Sequence, residues 1–258
     1  MVRRALRRRG CLAALSLALA LPAIADNGAP ATIARVKGAI VAVGTFERLR
    51  NPQFSFAGTG FAVGDGKTIA TNEHVLVKEL AGERHETLAV AARAADGSID
   101  IRAARKVAAD TVHDLALLEI EGAALPALAL GDSARVREGE SYLFTGFPIG
   151  PVLGLHPVTH RAMIAALTPI VIPAARADKL DARAVRRLAA GAFAVFQLDA
   201  TAYPGNSGSP VYDPASGEVV GIVNSVFVKG TKESALTAPS GITYAIPASR
   251  LAALLEKR

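Results

Sequence analysis

Residues 58–71 read GTGFAVGDGKTIAT, two short apolar runs on either side of Gly64-Asp65-Gly66. An aspartate between two glycines supplies the positive φ angles that a tight turn needs, so this stretch predicts a β-hairpin. The same grammar continues in both directions. From about residue 33 onward, short β-branched or apolar runs follow one another, separated by Gly, Asp and Pro: GAIVAVG, GTGFAV, KTIAT, ETLAVAA, DIRAARKV, DLALLEI, SYLFTGF, VTHRAMIAAL, FAVFQL, SPVYD, EVVGIVNSVFV and ITYAIP. About twelve strands over some 215 residues predict an all-β chain of two six-stranded antiparallel barrels rather than one. The expected partition is 26–135 for the first barrel and 136–258 for the second.

Two segments carry helical spacing instead. RADKLDARAVRRLAA, residues 176–190, sets Leu180, Ala184, Val185 and Leu188 on one face, and Gly191 supplies a stop. Residues 248–257, following Pro247, form a short amphipathic C-terminal helix. The Gly- and Pro-rich stretch 146–157, GFPIGPVLGLHP, reads as a barrel-to-barrel or active-site loop.

Composition narrows the function classes. Of 258 residues, 51% are hydrophobic and only 5% aromatic, which implies a sizeable core of small aliphatic side chains. The first 25 residues read as a secretory signal peptide: Arg3, Arg4, Arg7, Arg8 and Arg9, then CLAALSLALAL, then Ala23-Ile24-Ala25 as a small-x-small cleavage site. The apolar run is short for a membrane span, so the expectation is an exported, periplasmic or secreted chain starting at Asp26, with no stable membrane anchor after cleavage. Without that peptide the chain keeps 24 basic against 23 acidic groups, a formal charge of +1 instead of +6. The basic balance therefore belongs to the targeting segment, and nucleic acid is not the expected partner. Cys11, the one cysteine, lies in the same segment, which leaves no disulfide, thiolate nucleophile or cysteine-zinc site downstream.

Chemistry concentrates in DATAYPGNSGSPVYD, residues 199–213. Ser207 follows Gly205 in a segment too glycine-rich for helix or regular strand. Acyl transfer by serine needs an accessible hydroxyl and two backbone N–H groups converging on the developing oxyanion, and a tight glycine turn supplies both. GNSG alone suits an ordinary surface turn equally well. Two other stretches add weight: TNEHVL places His74 just after the strand KTIAT, and HDLALLEI places Asp114 at the start of another strand.

The order His, Asp, Ser, together with GTGFAV, TN-x-HV, DLALL and GNSGSP, resembles the trypsin-like serine peptidases, in particular the HtrA/Deg branch, from about Ile33 to the end of the chain. The resemblance implies a chymotrypsin-like double barrel and an endopeptidase that acts on polypeptides, unfolded proteins among them, with neither metal nor organic cofactor. It makes Ser207 the nucleophile, His74 the general base, Asp114 the orienting acid, and Gly205 and Ser207 the oxyanion-hole donors, with Asn206 facing the hole from the same turn. It places Asn224 near the buried acid, and Ser225 and Val226 where an extended substrate pairs its backbone. Thr201, six residues before the nucleophile, takes the position of the pocket base, with Ala202 beside it. Val223 stands where glutamate-specific members carry a histidine, and Val226 where a glycine would admit an aromatic ring. Cleavage after small or medium aliphatic residues is expected. Asn206 replaces the aspartate that pairs with a freed amino terminus in zymogen-activated trypsins, so that switch is expected to be absent. Family members of the HtrA type continue into PDZ domains where this chain ends, which implies a stand-alone protease domain. The rival is a catalytically weak polypeptide-binding or chaperone-like protein on the same fold.

The remaining candidates read as bystanders. His85, His156 and His160 suit surface positions; His113 is expected to point away from Asp114, as adjacent strand residues do; Asp110, Asp132 and Asp199 suit turns or strand ends.

Overall fold

A computed structural model describes residues 28–76, 86–94, 96–170, 191–224 and 241–258. Four features of the sequence reading lie outside those residues: the signal peptide, the helical segment 176–190, His85, and the pair Ser225 and Val226.

Twelve strands close into two barrels. The first contains β1 (Ile40–Phe46), β2 (Phe54–Val63), β3 (Thr68–Thr71), β4 (Thr87–Arg93), β5 (Ile99–Asp110) and β6 (Leu115–Ile120), ordered β1-β2-β3-β6-β5-β4 with β1 pairing antiparallel to β4. The second contains β7 (Ser141–Gly146), β8 (Val158–Ile170), β9 (Phe193–Asp199), β10 (Pro210–Tyr212), β11 (Val219–Asn224) and β12 (Ile242–Pro247), ordered β10-β11-β12-β9-β8-β7 and closed by β10 on β7. The expected hairpin at 64–66 joins β2 to β3.

The strands read as apolar on both faces because both faces are covered. Side chains alternate along a strand, and here they alternate between a barrel interior and the seam between barrels. Val41 and Val43 fill the first interior with Ile69, Val90 and Leu118. Their neighbours Ile40 and Ala42 join the seam cluster with Leu117, Leu143, Tyr212, Ile222 and Ile246. In the second barrel Phe144, Ile164, Leu198 and Val223 pack inward. β5, IDIRAARKVAAD, lacks this second cover and alternates between exposed and partly buried positions.

Two terminal helices strap the barrels across the seam. α1 (Gly28–Lys37), which the sequence reading did not anticipate, buries Val36 in the seam, while the Thr32 hydroxyl and Arg35 guanidinium donate to the carbonyls of Ala215 and Ser216 in the β10–β11 turn. The expected C-terminal helix, here α3 (Ala248–Glu256), buries Leu251 and Leu254 there too. Beyond it, Arg258 reaches Thr68 and Glu119 of the first barrel. Each barrel is thus held by an element from the opposite end of the chain. Among the described residues no helix is long and apolar enough to cross a membrane.

Two histidines depart from the sequence reading. His160 is no surface residue: it sits on β8 opposite Phe144 with rings stacked at 4.8 Å, and its Nε2 is buried without a hydrogen-bond partner among the described residues. Burial there disfavours the imidazolium and pulls its pKa below the usual 6.5. His113 lies in the β5–β6 turn rather than on a strand, so alternation does not place it. Its Nδ1 meets Asp110 Oδ2 at 2.6 Å and its ring packs edge-on against Phe193, 4.7 Å between centroids.

Two predictions follow from this packing. The folded state holds His160 neutral, so the unfolded chain binds its proton first as pH falls; the stabilisation is complete above pH 6.5 and is lost progressively as pH falls through the lowered folded pKa. Urea melts across that range should show wild type losing stability relative to His160→Phe, by up to ~1.4 kcal/mol per pH unit; parallel curves would refute it. The second concerns Gly58 on β2, where an added Cβ would lie 2.7 Å and 3.0 Å from the Val75 methyls and 3.1 Å from the Ser207 carbonyl oxygen. Gly58→Ala should therefore overpack the seam and lower stability by about 1–3 kcal/mol, and an unchanged urea midpoint would contradict this.

Candidate active site

The site is built where loops of the two barrels meet. β5 ends at Asp110, whose Oδ1 accepts the N–H groups of Val112 and His113 and turns the chain sharply. Asp114 completes the turn at φ 56°, a left-handed conformation that aspartate tolerates better than most residues. That twist sends His113 toward Phe193 and Asp114 inward, where it is 1% exposed.

Asp114 then organises the segment after β3. Its carbonyl oxygen accepts from the Asn72 side-chain amide at 3.0 Å and the Glu73 N–H at 3.1 Å. Its carboxylate accepts from the His74 backbone N–H at 2.8 Å through Oδ1, and Oδ2 lies 2.6 Å from His74 Nδ1. The short helix α2 (Glu73–Leu76) is the outcome, with His74 in its first turn. A carboxylate can only accept, so Nδ1 carries the imidazole proton and Nε2 presents a lone pair. From the second barrel, Asn224 at the end of β11 donates its amide to Asp114 Oδ2 at 2.7 Å. Asp114 is thus held from both barrels.

Ser207 lies in the turns between β9 and β10. Asn206 N–H bonds to Tyr203 O and Ser209 N–H to Asn206 O, giving two tight turns in succession. The loop is then stitched to β11, with Gly208 N–H on Val223 O and Val223 N–H on Ser209 O, one residue from Asn224. From the first barrel, the Thr59 N–H donates to the Ser207 carbonyl at 2.8 Å. Ser207 is 6% exposed.

The other expected site residues fall as follows. Among the described residues, nothing accepts the backbone N–H of Gly205 or of Ser207. Asn206 departs from the expectation that it faces the hole. Its N–H is taken by Tyr203, and its fully buried side chain turns inward, with Oδ1 3.0 Å from where a Cβ on Gly146 would stand. Thr201 and Ala202 are half-buried; Ala202 N–H donates to Thr243 Oγ1 at 3.0 Å, and Ala202 packs on the second barrel's interior cluster. Val223 is buried within that cluster. The reading of single motifs missed Asn72, Thr59 and the Asp110–His113 pair. Asn72 and Thr59 lie inside quoted motifs and Asp110 within a few residues of one, but their partners depend on how the chain closes into barrels.

The trypsin-like peptidase domain family matches residues 58–222 of this chain. A probable periplasmic serine endoprotease, DegP-like, from Pseudomonas putida (strain GB-1) is 30% identical over 191 residues, covering 74% of this chain and 32% of that protein. The putative serine protease HhoA of Synechocystis is 29% identical over 207 residues, 80% of this chain and 43% of that one. The chain thus spans about a third to under half of the length of these relatives. Among solved structures, the HtrA-type protease AlgW with tripeptide superposes with a TM-score of 0.58 at 27% identity, over 87% of this chain and 60% of that one. Deg5 superposes with a TM-score of 0.59 at 22% identity, over 86% and 90%, a likeness of fold. With both barrels closed and the match running from Gly58 in β2 to Ile222 in β11, the chain belongs to the family of trypsin-like peptidase domains.

Proposed function

We propose that this protein is an exported serine endopeptidase that cleaves polypeptides through an acyl-enzyme. The observation that carries the reading is the Asp114–His74 pair: a buried carboxylate 2.6 Å from Nδ1, which leaves Nε2 as the basic atom of the ring. Ser207 Oγ adds to the scissile carbonyl and passes its proton to His74 Nε2. The tetrahedral oxyanion is met by the N–H groups of Gly205 and Ser207. His74 then gives the proton to the departing amine, the C–N bond breaks, and an ester to Ser207 remains. Water, deprotonated by the same imidazole, cleaves that ester. Asp114 keeps the imidazole in the required tautomer and stabilises its charged form, and Asn224 fixes the carboxylate's other contact. Chemistry of this kind draws on no metal or organic cofactor.

Export rests on the features of residues 1–25 and agrees with the periplasmic DegP-like relative. Polypeptides are the substrates, unfolded chains in particular, in keeping with the tripeptide complex of the AlgW structure. Since Asn206 carries no charge, activity requires no ion pair with a newly freed amino terminus. The specificity pocket takes small or medium aliphatic side chains: Thr201 offers no carboxylate to a basic residue, and Val223, fully buried, supplies no histidine to read glutamate. The resemblance assigns pairing with the substrate backbone to Ser225 and Val226.

Ser207→Ala removes one hydroxyl from a turn, so casein hydrolysis and fluorophosphonate labelling should vanish, with a rate loss on the order of 10⁴–10⁶ and an unchanged melting temperature. Hydrolysis at the wild-type rate by the purified variant would sink the assignment. Wild type that neither reacts with the fluorophosphonate nor turns over any polypeptide would favour the binding-protein alternative. Mapped cuts in a denatured protein digest should follow Ala, Val or Leu by preference rather than strictly, since a methyl group discriminates by only about 1–3 kcal/mol. Dominant cleavage after Arg, Lys or Glu would refute the pocket argument.

A further inference from the structure

The glycine of the oxyanion turn raises a problem of control. Gly205 adopts φ 104°, a region that other residues rarely occupy, and a glycine there is free to rotate the peptide planes on either side of it. Its N–H acts on a substrate only if both planes are fixed. The structure shows a clamp on each. On the amino-terminal side, the Pro204 carbonyl accepts the Ile149 N–H at 2.8 Å. In a trans peptide the C=O and the following N–H point in opposite directions, so holding Pro204 O toward Ile149 aims the Gly205 N–H away from it. On the carboxyl-terminal side, the Gly205 carbonyl accepts the Thr59 hydroxyl at 2.7 Å. Sideways movement is blocked as well, since a Cβ on Gly205 would lie 2.3 Å from the Phe147 carbonyl oxygen and 3.0 Å from the Phe56 ring.

Thr59 is the less expected of the two clamps. It sits between the glycines of GTGFAV, fully buried, on a strand of the other barrel. Its Oγ1 accepts the Phe147 N–H at 3.1 Å, which leaves the hydroxyl hydrogen to point at Gly205 O. Its backbone N–H holds the Ser207 carbonyl at 2.8 Å, and its own carbonyl is held by Thr71 Oγ1 at 2.7 Å. One residue therefore grips the serine loop on both sides of Asn206, by side chain at Gly205 and by main chain at Ser207. The same hydroxyl ties in the Phe147–Gly150 turn, where Ile149 itself is held at φ 60°, a strained value for a β-branched residue.

Resting on the serine-peptidase reading above, we propose that Thr59 is a positioning residue for the oxyanion hole, its hydroxyl fixing the Gly205–Asn206 peptide and thereby limiting rotation at Gly205 of the adjoining Pro204–Gly205 peptide, whose N–H meets the developing oxyanion. Thr59→Val keeps the shape and removes the hydroxyl, leaving the Phe147 N–H and Gly205 carbonyl unpaired. Thr59→Ser keeps the hydroxyl.

The test compares both variants with wild type and Ser207→Ala on a peptide anilide with alanine before the cut. Rates are expressed per site titrated to completion with a fluorophosphonate. For Thr59→Val, kcat per site should fall about 10²-fold, the scale of losing one oxyanion donor, with KM within about threefold. Affinity for a peptide boronic acid, whose tetrahedral adduct uses the hole, should fall in step, while affinity for the product peptide acid should not. Thr59→Ser should stay within about threefold of wild type throughout. A kcat per titrated site equal to wild type in Thr59→Val, whatever its folded yield, would reduce Thr59 to a structural role and overturn the proposal. If Thr59→Val does not fold, a hundredfold loss of kcat in Thr59→Ser would overturn it equally. Absence of Ser207 labelling in wild type would instead overturn the peptidase reading, and this inference with it.

Discussion

A carboxyl group at 1% exposure is tolerable only where donors surround it, because desolvating a charge that lacks partners costs several kcal/mol. Asp114 meets that condition with donors to its carboxylate from two places, the His74 backbone and ring and Asn224 from the second barrel, while its backbone carbonyl accepts from Asn72 and Glu73. The requirement works in both directions. The donors make burial possible, and the buried carboxylate in turn holds the chain after β3 in a single turn of helix that Glu73–Leu76 is too short to sustain alone. Because Asn224 reaches across from β11, the constraint also fixes how the two barrels meet.

The serine loop depends on the same seam from the opposite side. Its backbone is paired to β11 through Gly208, Val223 and Ser209, and to β2 through Thr59. Gly58, beside Thr59, has no room for a Cβ between Val75 and the Ser207 carbonyl. The residue that follows His74 and the residue that carries the hydroxyl thus press on one glycine. The segment that carries His74 and the loop that carries Ser207 belong to different barrels, yet both pack closely on β2 at Gly58.

How much of this was legible in the sequence follows from the range over which each signal acts. The strands were readable because each is a local run bounded by its own turn residues, and Gly64-Asp65-Gly66 sets its hairpin without help from the rest of the chain. The two-barrel class followed from their number. α1 was missed because Gly28–Lys37 has only a modest apolar stripe, burying Thr32 and Val36, and owes its place to contacts with Ala215 and Ser216 far along the chain. His160 misled for a related reason: between polar neighbours it reads as exposed, and only the pairing of β8 with β7 puts Phe144 over it. His74, Asp114 and Ser207 stood out through their flanking motifs. Of the groups that orient them, the Asn72 amide and the Thr59 hydroxyl lie inside the quoted motifs and the Ile149 N–H in a loop, but what each one holds depends on contacts across the chain that no local pattern reveals.

That division bears on why the seam is so thoroughly fastened. A site assembled from two closed barrels has little cover of its own, since each barrel satisfies its strand ladders internally and draws only isolated bonds, such as Thr59 N–H to Ser207 O, from its neighbour. What joins them is the apolar cluster from Val36 to Leu254, reinforced by helices that cross over: α1 precedes the first barrel but binds the β10–β11 turn, and the chain after α3 returns from the second barrel to Thr68 and Glu119. Sliding one barrel over the other would expose that cluster and detach both straps together with the Asn224–Asp114 and Thr59–Ser207 bonds. Small displacements at the Asp114–His74 pair and the Ser207 loop are therefore coupled to the burial of the largest cluster of apolar side chains in the described structure. The geometry of a few polar atoms is in this way held by hydrophobic packing spread over the whole interface.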